Sequence, residues 1–497
     1  MGQSFSDKND RLFLPSWHQY ESRGICILDG YCYVGGQMDT ATSERAIISK
    51  LTLDGQMLYT KFIPNAETSN NGYGNGVAAI KAYNDKLYMV SQKFDSTFHS
   101  TVQVFIFDTS CDVVDSGNYQ FSVGQYNYIQ PTDLTVTEDG SVYVVGFIYE
   151  ATSGAANRGT YIFKLDPHLS KVWERHFQQP SDGNDTYFTE VTHIDANRIV
   201  CMGQEYDGSA QDSRYRLVNI FLTEIDSSGV LKKWSNEPQG TVRREYTGTT
   251  SGVVVSQAQI FGESLLYRGG FLYYLDSYDT LEHWENRSSG PQILSASYTV
   301  NIVKRDTSLS LINSVPIATP AQAMTLGCNG SLYISAEYIQ EVPDLHFSIK
   351  KQMIRKYSEG GTWFSTDTIS TINRDYSDSR HMVADEDGHL AIALAVNNQM
   401  ELTTASDSLC NAQFPTDISR LTTDEEILKV YPNPAAGFVI VSGYTGIADS
   451  YDVIDVTGRT ILSGILDYAA TRIETKNIAS GIYILRIQNG SAKFVRE

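Results

Sequence analysis

The sequence lacks long apolar runs and long helical patterns. Within its 497 residues, no run approaches the ~20 consecutive apolar residues that a membrane-spanning helix needs. Extended amphipathic stretches of Ala, Leu, Glu and Lys are also missing, so little α-helix is expected. Instead, 41% of the residues are hydrophobic and 11% are aromatic, and many of them form short runs rich in Tyr, Val and Ile. This composition predicts an all-β protein with a large core.

Positive charge is scarce as well. The chain has 38 Lys and Arg residues against 58 Asp and Glu, which gives a formal net charge of −20. Proteins that bind nucleic acid need a basic surface that neutralises phosphate groups, so no nucleic-acid partner is expected. The acidity is instead typical of a protein that stays soluble through charge repulsion.

Cysteine is sparse and follows no recognisable pattern. The six cysteines are Cys26, Cys32, Cys111, Cys201, Cys328 and Cys410. None has CxxC or Cys/His spacing, which argues against zinc, and most are expected to be buried free thiols. Cys26 and Cys32 flank one turn. A three-residue loop would let them face each other, whereas a two-residue loop would send them to opposite faces of the hairpin.

Motifs for catalysis, metals and cofactors are also missing. The sequence has no HExxH, no GxSxG and no phosphate-binding glycine loop, and its nine histidines are spread singly. Acidic segments at 182–185 and 205–208 lack the alternating ligand spacing of a calcium loop, so solvated turns are favoured there. The sequence therefore predicts no metal and no cofactor, and the catalytic residues, if any exist, stay unknown.

What the sequence does contain is an internal repeat. A tight-turn signal followed by a Tyr/Val/Ile-rich strand occurs seven times. The turns are Asp29-Gly30, Asn84-Asp85, Asp139-Gly140, Ala196-Asn197, Gly269-Gly270, Asn329-Gly330 and Asp387-Gly388. Successive turns lie roughly 55–60 residues apart, except for one interval of roughly 73 residues that contains a hydrophilic insertion at 237–250.

Most of these intervals contain four candidate strands and no helical pattern. Four-stranded units repeated in this way are typical of β-propeller blades. We therefore predict a seven-bladed β-propeller, with two stacked sandwiches as the less favoured architecture. The spacing exceeds the ~40–50 residues of WD40 and kelch blades, so neither family is matched.

The seventh unit is incomplete. After the strand at 389–396, only one further candidate strand, at 400–403, precedes a polar stretch. We predict that an N-terminal strand near 12–14 completes the unit, because closing a ring with both chain ends removes exposed sheet edges.

The last seventh of the chain has a different pattern. Short Val/Ile/Tyr runs there, such as FVIVSG and GIYILRI, are separated by Gly, Asn, Asp and Ser, which predicts a small antiparallel, immunoglobulin-like β-sandwich. The segment 455–459 is expected to form a hairpin turn in which Gly458 supplies a positive φ. Pro432 and Pro434 would stiffen the linker before it and blunt an edge strand.

This C-terminal segment resembles the sorting domain of the type IX secretion pathway of Bacteroidota. Four blocks that recur together in that family are present, although the end is less basic than the family pattern. Their residues are Tyr431, Pro432, Asn433, Pro434, Gly458, Arg459, Gly481, Ile482, Tyr483 and Lys493. The resemblance implies export through the periplasm to the outer cell surface. It also implies the type IX translocon and a surface sortase as partners, with an anionic lipopolysaccharide as anchor.

We therefore predict three segments along the chain. They are a β-propeller at 3–415, a polar linker at 416–427 in which the tail is cut off, and the sorting domain at 428–497. Residues 1–5 have neither the basic region nor the apolar run of a signal peptide, so we interpret the chain as a mature form.

Propellers usually bind ligands where loops converge at one end of the central channel. Tyrosine-containing segments at 126–128, 278–279 and 376–378 have amide and carboxylate neighbours that suit recognition of sugars or peptides. The sequence thus favours a non-enzymatic surface protein that binds a glycan or protein ligand. The alternative is a secreted hydrolase or lyase that degrades polysaccharide or glycoprotein with an active site dispersed over several blades.

Overall fold

The computed structural model consists almost entirely of β-strands. It describes residues 5–13, 20–39, 44–67, 76–94, 100–121, 128–152, 155–177, 185–207, 216–236, 241–248, 252–257, 264–287, 290–317, 321–342, 347–358, 363–368, 377–396, 399–407, 410, 429–431, 433–435, 437–442, 449–455, 459–466, 470–487 and 490–496. The only helix among these residues is one 3-10 turn, Cys328–Gly330. The all-β prediction is therefore confirmed.

The chain divides into two compact units, Ser4–Ala412 and a smaller one that contains Gln413–Glu497. The predicted linker, 416–427, lies outside the described residues. No helix among those residues is long and apolar enough to cross a membrane.

In the large unit, four successive sheets each contain four antiparallel strands in chain order. Sheet 1 has β2 (Tyr20–Leu28), β3 (Tyr31–Asp39), β4 (Glu44–Thr52) and β5 (Met57–Glu67); sheet 2 has β6 (Val77–Tyr83), β7 (Lys86–Phe94), β8 (Ser100–Phe107) and β9 (Val113–Tyr119); sheet 3 has β10 (Tyr128–Val136), β11 (Val142–Thr152), β12 (Ala155–Leu165) and β13 (Lys171–Phe177); sheet 4 has β14 (Asp185–Asp195), β15 (Arg198–Asp207), β16 (Arg216–Asp226) and β17 (Leu231–Asn236).

Three further sheets follow, and the first of them is enlarged. Sheet 5 has β18 (Thr241–Gly248), β19 (Gly252–Gln257), β20 (Leu266–Arg268), β21 (Phe271–Arg287), β22 (Gly290–Asp306) and β23 (Leu311–Ile317); sheet 6 has β24 (Ala321–Leu326), β25 (Ser331–Val342), β26 (Phe347–Ser358) and β27 (Trp363–Thr368); sheet 7 has β28 (Ser377–Ala384), β29 (His389–Val396), β30 (Gln399–Asp407) and the N-terminal β1 (Phe5–Phe13). The hydrophilic insertion supplies β18, which pairs with β21 in parallel.

The N-terminal strand completes sheet 7. Strand β1 pairs antiparallel with β30, so that Leu12 lies opposite Glu401 and Phe13 opposite Met400. The predicted closure by an N-terminal strand is confirmed, and the strand begins earlier than the sequence indicated. As a result β30 has a partner on both sides, and its backbone presents no open edge.

The seven sheets follow one another around a common axis. In sheet 5, β18 and β19 are additional strands, and β20 takes the place of the first strand. The first strand of each sheet contacts the first strand of the next, in the order β2, β6, β10, β14, β20, β24 and β28, and β28 contacts β2. Among the described residues, one hydrophobic cluster lies between each pair of neighbouring sheets. Between sheets 7 and 1 it joins Ala393 and Leu402 to Ile25 and Val34. The large unit is therefore β-propeller-like.

The first strands of six sheets, all except sheet 5, contain a β-bulge at the same position. The register with the second strand shifts by one residue at 22/24, 77/79, 131/133, 188/190, 321/323 and 378/381. In each of these six sheets, the residue paired just before the shift is small: Gly36, Ser91, Gly146, Gly203, Ala336 and Ala395. A bulge bends its strand and increases the local twist, and its recurrence gives the strands around the axis a common bend.

At Gly146 and Gly203 the small residue is required by close approach. A Cβ atom on Gly146 would lie 2.0 Å from the carbonyl oxygen of Gln130 and 2.7 Å from Tyr161 Oη. A Cβ on Gly203 would lie 2.3 Å from the Phe221 ring. An aromatic side chain of the third strand thus covers each glycine, and no side chain fits between them.

A second recurrent turn joins the third and fourth strands, and the sequence analysis missed it. In sheet 2, the Asp108 carboxylate accepts the backbone N–H groups of Ser110 and Asp112, each at 2.9 Å, and Cys111 has a φ of 57°. The same two bonds are made by Asp166, Asp226 and Asp306, with Leu169, Gly229 and Leu309 at positive φ. We call these four segments Asp turns. Only one has glycine at the positive-φ position, which is why the sequence pattern was missed.

Each Asp turn is held by the sheet before it. From sheet 1, Tyr33 Oη and Lys50 Nζ donate to the carbonyl of Thr109 at 3.0 and 2.8 Å. In the next three junctions the donors are Tyr119 Oη to Leu169 O at 2.6 Å, Trp173 Nε1 to Ser227 O at 2.9 Å, and Lys233 Nζ to Ser308 O. We call each of these contacts an inter-sheet latch. The latches hold each of sheets 2 to 5 against the sheet before it.

The junction between sheets 6 and 7 adds a covalent bond. Cys410 N–H donates to Asp407 O at 3.1 Å, as Cys111 N–H does to Asp108 O at 2.9 Å. The buried Asp407 carboxylate accepts from Tyr333 Oη at 2.5 Å and from Lys356 Nζ. Cys410 is disulfide-bonded to Cys328.

The other four cysteines are buried free thiols, as predicted for most of the six. The turn at Asp29-Gly30 has two residues, so Cys26 and Cys32 lie on opposite faces. Cys26 packs in the cluster between sheets 1 and 2, and Cys32 packs in the one between sheets 7 and 1.

The small unit consists of two sheets. One contains β31 (Lys429–Tyr431), β32 (Phe438–Ser442) and β35 (Ala470–Glu474); the other contains β33 (Asp449–Asp455), β34 (Thr460–Leu466), β36 (Gly481–Ile487) and β37 (Gly490–Arg496). Val439 and Val441 from the first sheet share a core with Val453, Leu485 and Phe494 from the second. The two sheets therefore pack face to face.

Replacing Gly146 with alanine tests the close approach at the bulge. We expect Gly146→Ala to lower the free energy of unfolding by about 2–3 kcal/mol, because the new Cβ forces backbone and Tyr161 apart. Chemical denaturation measures this change. The matched control is Ser91→Ala, at the same register position in sheet 2, where a side chain already fits. Equal effects of the two substitutions would contradict the steric explanation.

The Asp turns predict acid sensitivity. Hydrogen bonds from Ser308 and then from the Ser310 backbone hold the pKa of Asp306 below its ordinary value, and the Ser170 and His168 backbone does the same for Asp166. A lowered folded-state pKa contributes stability above the unfolded-state pKa of about 4, and this contribution is lost as the pH falls below it. The melting temperature of wild type should therefore fall below pH 4.

The variant Asp306→Asn isolates the charge, because an amide oxygen can still accept both N–H bonds. Its melting temperature should decline less steeply between pH 4 and 2 than that of wild type. The control Glu386→Gln removes an exposed carboxylate outside the Asp turns and should keep the wild-type slope. Parallel pH profiles for wild type and Asp306→Asn would contradict the assignment.

Candidate functional site

The first strands of the sheets enclose a pocket on the common axis. Its lining residues are Gly24, Ile25, Ala78, Ala79, Ile80, Lys81, Thr132, Asp133, Glu190, Ser264, Leu265, Leu266, Ala323, Met324, His381 and Met382. The pocket has a volume of about 110 Å³. Typical ligand pockets measure roughly 300–1,000 Å³. This one therefore holds a few water molecules or a small polar group, and a sugar ring does not fit.

An ion pair between sheets 2 and 3 dominates the pocket. Lys81 Nζ lies 3.2 Å from Asp133 Oδ1; the Asp133 side chain is 4% exposed and that of Lys81 is 45% exposed. The other carboxylate oxygen of Asp133 accepts the Val191 N–H of sheet 4 at 3.0 Å. One carboxylate thus connects three neighbouring sheets. Asp133 follows the bulge in β10, and its side chain lies at the axis.

The charges around Lys81 keep it protonated. Burial lowers the pKa of its ammonium group, but attraction to the carboxylates of Asp133 and Glu190 raises the pKa by more, so that it stands above its ordinary value. A lysine acts as a nucleophile or a general base only when its pKa is brought down towards neutrality. Lys81 therefore serves as a fixed positive charge.

Two hydroxyl groups of the lining also connect neighbouring strands. Ser264 Oγ accepts the Met324 N–H at 2.7 Å, which joins sheets 5 and 6. Thr132 Oγ1 donates to the Phe188 carbonyl at 2.8 Å, which joins sheets 3 and 4. These two hydroxyl groups thus hold neighbouring sheets together, and Glu190 and His381 complete the polar lining.

Two clusters outside the pocket have the residue types of metal ligands. Asp385, Asp387 and His389 bring one ligand atom each to within 4.8 Å of one another. His389 Nδ1 lies 2.8 Å from Asp385 Oδ2, and Asp385 Oδ1 accepts the His389 N–H at 2.8 Å. These hydrogen bonds within one turn account for the closeness of Asp385 and His389. In the second cluster, around Asp407, both sulfur atoms are in the disulfide and are not available as thiolates.

The described residues of the sequence-predicted ligand segments are not among those that line the pocket. Tyr278 and Asp279 lie within β21, so their placement in a loop was wrong. The strand continues there because β18 and β22 flank it on both sides. Residues 126–127, 182–184, 208 and 376 lie outside the described residues. Tyr128 and Asp378 belong to β10 and β28, and residues 205–207 belong to β15, so the loops predicted for the first two and the turn predicted for the third were wrong there.

The axial residues Lys81, Asp133 and Glu190 were missed by sequence reasoning. A charged residue inside the otherwise apolar first strand of a unit, as in AAIKAY and PTDLTV, was the available signal. It becomes informative only once the first strands are known to face a shared axis.

In the small unit, Asn433 connects the start of the unit to its last strand. Its Nδ2 donates to the Lys493 carbonyl at 3.1 Å, and its Oδ1 accepts the Val495 N–H at 2.9 Å. The Asn433–Pro434 peptide bond is cis. Tyr431 lies in β31, and Pro432 lies outside the described residues.

The remaining motif residues divide into buried and exposed ones. Tyr483 is buried, donates to the Ala479 carbonyl at 2.8 Å and stacks on Phe494. Arg459 is 77% exposed, and its backbone N–H donates to Asp455 Oδ1 at 3.1 Å. Ile482 and Lys493 are exposed on β36 and β37. Gly481 begins β36, and Gly458 lies outside the described residues.

Comparison with known families identifies the small unit. Residues 429–497 match a family model described as a secretion system C-terminal sorting domain. The predicted resemblance is confirmed, and the chain carries a type IX secretion sorting domain. The protein is accordingly exported, to the cell surface or to the medium, and interacts with the type IX secretion machinery.

No curated protein matches the chain. Among solved structures, the β-propeller domain of the Trilobed protease from Pyrococcus furiosus matches with a TM-score of 0.41 and 8% identity, over 78% of this chain and 96% of that one. An endo-arabinase from Bacteroides thetaiotaomicron matches with a TM-score of 0.32 and 11% identity, over 61% of this chain and 94% of that one.

Proposed function

We propose that this protein is a seven-bladed β-propeller displayed at the cell surface, where it binds a glycan or protein ligand without catalysis. Each of the seven sheets would be one blade. The observation that carries the proposal is that polar groups at the axis are paired with groups of neighbouring sheets. Asp133 pairs with Lys81 and accepts the Val191 N–H, and Ser264 accepts the Met324 N–H. Groups engaged in this way stabilise the ring.

The chemistry of the axis supports binding over catalysis. General acid–base catalysis needs a group that titrates near the working pH and reaches the substrate. Lys81 stays protonated, Asp133 is buried beneath it, and the pocket of about 110 Å³ is too small for a saccharide. A ligand would therefore bind on the outer surface of the propeller, with the axis serving as a rigid support.

The small unit supports the second part of the proposal. Its two packed sheets fit an immunoglobulin-like sandwich, and the chain would consist of a propeller at 3–415, a linker at 416–427 and the sorting domain at 428–497. We infer that a surface sortase in a member of the Bacteroidota removes this domain and joins the propeller to an anionic lipopolysaccharide. The exposed Arg459, Ile482 and Lys493 are the residues available to the export machinery.

A combined screen of the full chain tests binding against catalysis. The protein is applied to a glycan array and incubated with polysaccharides and glycoproteins, with and without Ca²⁺, and product release is measured. We expect binding without product. The variant Asp133→Asn should lower the free energy of unfolding by about 1–2 kcal/mol, because Lys81 loses its partner while staying partly hydrated, and should bind like wild type. Product release that Asp133→Asn abolishes would overturn the proposal in favour of a hydrolase or lyase.

Intact-mass analysis of protein recovered from the cell surface tests the processing step. We expect the recovered chain to end within 416–427 and to carry additional mass from the saccharide anchor. A chain that retains Lys493 and the other tail residues would contradict removal of the sorting domain. Protein that ends in the linker without added mass would show that the sorting domain is removed and the protein is released to the medium. That result would contradict only the attachment to lipopolysaccharide.

A further inference from the structure

We propose that the Cys328–Cys410 disulfide is a redox-dependent lock on ring closure. This inference concerns the junction between sheets 6 and 7 and is independent of the ligand. In the oxidised state, the turn that follows β30 is joined covalently to sheet 6 through Cys410 and Cys328. In the reduced state the pairing between β30 and β1 opens more readily than any other part of the propeller.

Sheet 7 differs from sheets 2 to 5 in the origin of its fourth strand. In sheets 2 to 5, each Asp turn is continued by the fourth strand of the same sheet, so the chain holds the turn from both sides. In sheet 7 the fourth strand is β1, which comes from the opposite end of the sequence. The turn after β30 therefore does not lead into the fourth strand of its own sheet.

The disulfide lies at the place where the junction between sheets 1 and 2 has apolar packing. Cys410 follows Asp407 by three residues, as Cys111 follows Asp108. At the first junction, the residue that corresponds to Cys328 is Leu28, since each stands five residues before the latch tyrosine, Tyr333 or Tyr33. Leu28 packs against the same cluster that contains Cys111. Apolar packing thus stands at this place where the turn leads into the fourth strand of its own sheet, and a covalent bond stands there where β1 supplies that strand.

The lock covers a buried charged group. The side chains of Asp407 and Lys356 are 0% and 6% exposed. Cys328 Sγ lies 4.0 Å from Asp407 Oδ2, and Tyr333 Oη lies 3.5 Å from Cys410 Sγ. Charges pay a large desolvation cost when they are buried, so movement of the turn that admits water is favoured by their hydration. The disulfide prevents that movement, and its reduction permits it.

The redox step is an ordinary thiol–disulfide exchange. The thiolate of one cysteine attacks a disulfide of a thiol-oxidising protein outside the cytoplasm, and the mixed disulfide is then displaced by the thiolate of the second cysteine. The S–S bond between Cys328 and Cys410 forms, the donor's S–S bond breaks, and the two thiol protons pass to the donor, which leaves as a dithiol. A dithiol reductant reverses these steps with the same balance.

Hydrogen exchange of the full-length protein tests the lock directly. Amide exchange is followed by mass spectrometry before and after treatment with a dithiol reductant, which has only this disulfide to reduce among the described cysteines. We expect exchange in β30 and β1 to become at least about tenfold faster, with sheets 2 to 4 unchanged. The melting temperature should fall by roughly 5–10 °C.

Two variants complete the test. Cys410→Ala should show the exchange pattern of the reduced protein and no response to reductant. Cys111→Ala, at the same turn position in sheet 2, should respond to reductant like wild type. Unchanged exchange in β30 and β1 after reduction, or an equal rise in all sheets, would overturn the proposal. The reductant experiment on wild type gives this answer even if a variant fails to fold.

Discussion

The propeller depends on one contact, the hydrogen bond that a side chain of one sheet donates to the Asp turn of the next. The aspartate takes up the N–H groups of its turn and leaves carbonyl oxygens facing the preceding sheet, where Tyr33, Tyr119 and Trp173 reach them. Hydrophobic clusters between sheets supply most of the stabilising area, but they are non-directional. The latches add direction, because a hydrogen bond holds its partners at one distance and angle. They therefore hold each of sheets 2 to 5 in a defined orientation to the sheet before it.

The same contact explains why the axis is polar and still rigid. Sheets fixed at their outer turns bring their first strands close together, and charged side chains that point inward must then find partners. Asp133 does so with Lys81 and a backbone N–H of the following sheet. In the sorting domain Asp455 accepts the Arg459 N–H in the manner of an Asp turn, and Arg459 Nε also lies 3.3 Å from Asp455 Oδ2 although the arginine side chain is largely exposed. A similar local turn thus occurs in both units.

Sequence reasoning succeeded where the signal is local. Glycine and Asn-Asp turns before Tyr-rich strands revealed the repeated units, and the motif around Asn433, Arg459 and Tyr483 revealed the sorting domain. It failed where the signal depends on distant partners. Leu169 and Leu309 at positive φ look ordinary in sequence, because the buried pocket that holds each side chain is tertiary. Likewise, 82 residues separate Cys328 from Cys410, and nothing near either cysteine indicates the other.

The pairing of β1 with β30 imposes an order on folding. Phe13 leaves the ribosome early, yet its partner Met400 is made only shortly before the sorting domain. Until then β1 has no strand to pair with, and the first six sheets can assemble only as an open arc. Contacts of such long sequence separation form slowly, and an unpaired edge invites association with other chains. During export the molecule must therefore be kept from its neighbours until its two ends meet.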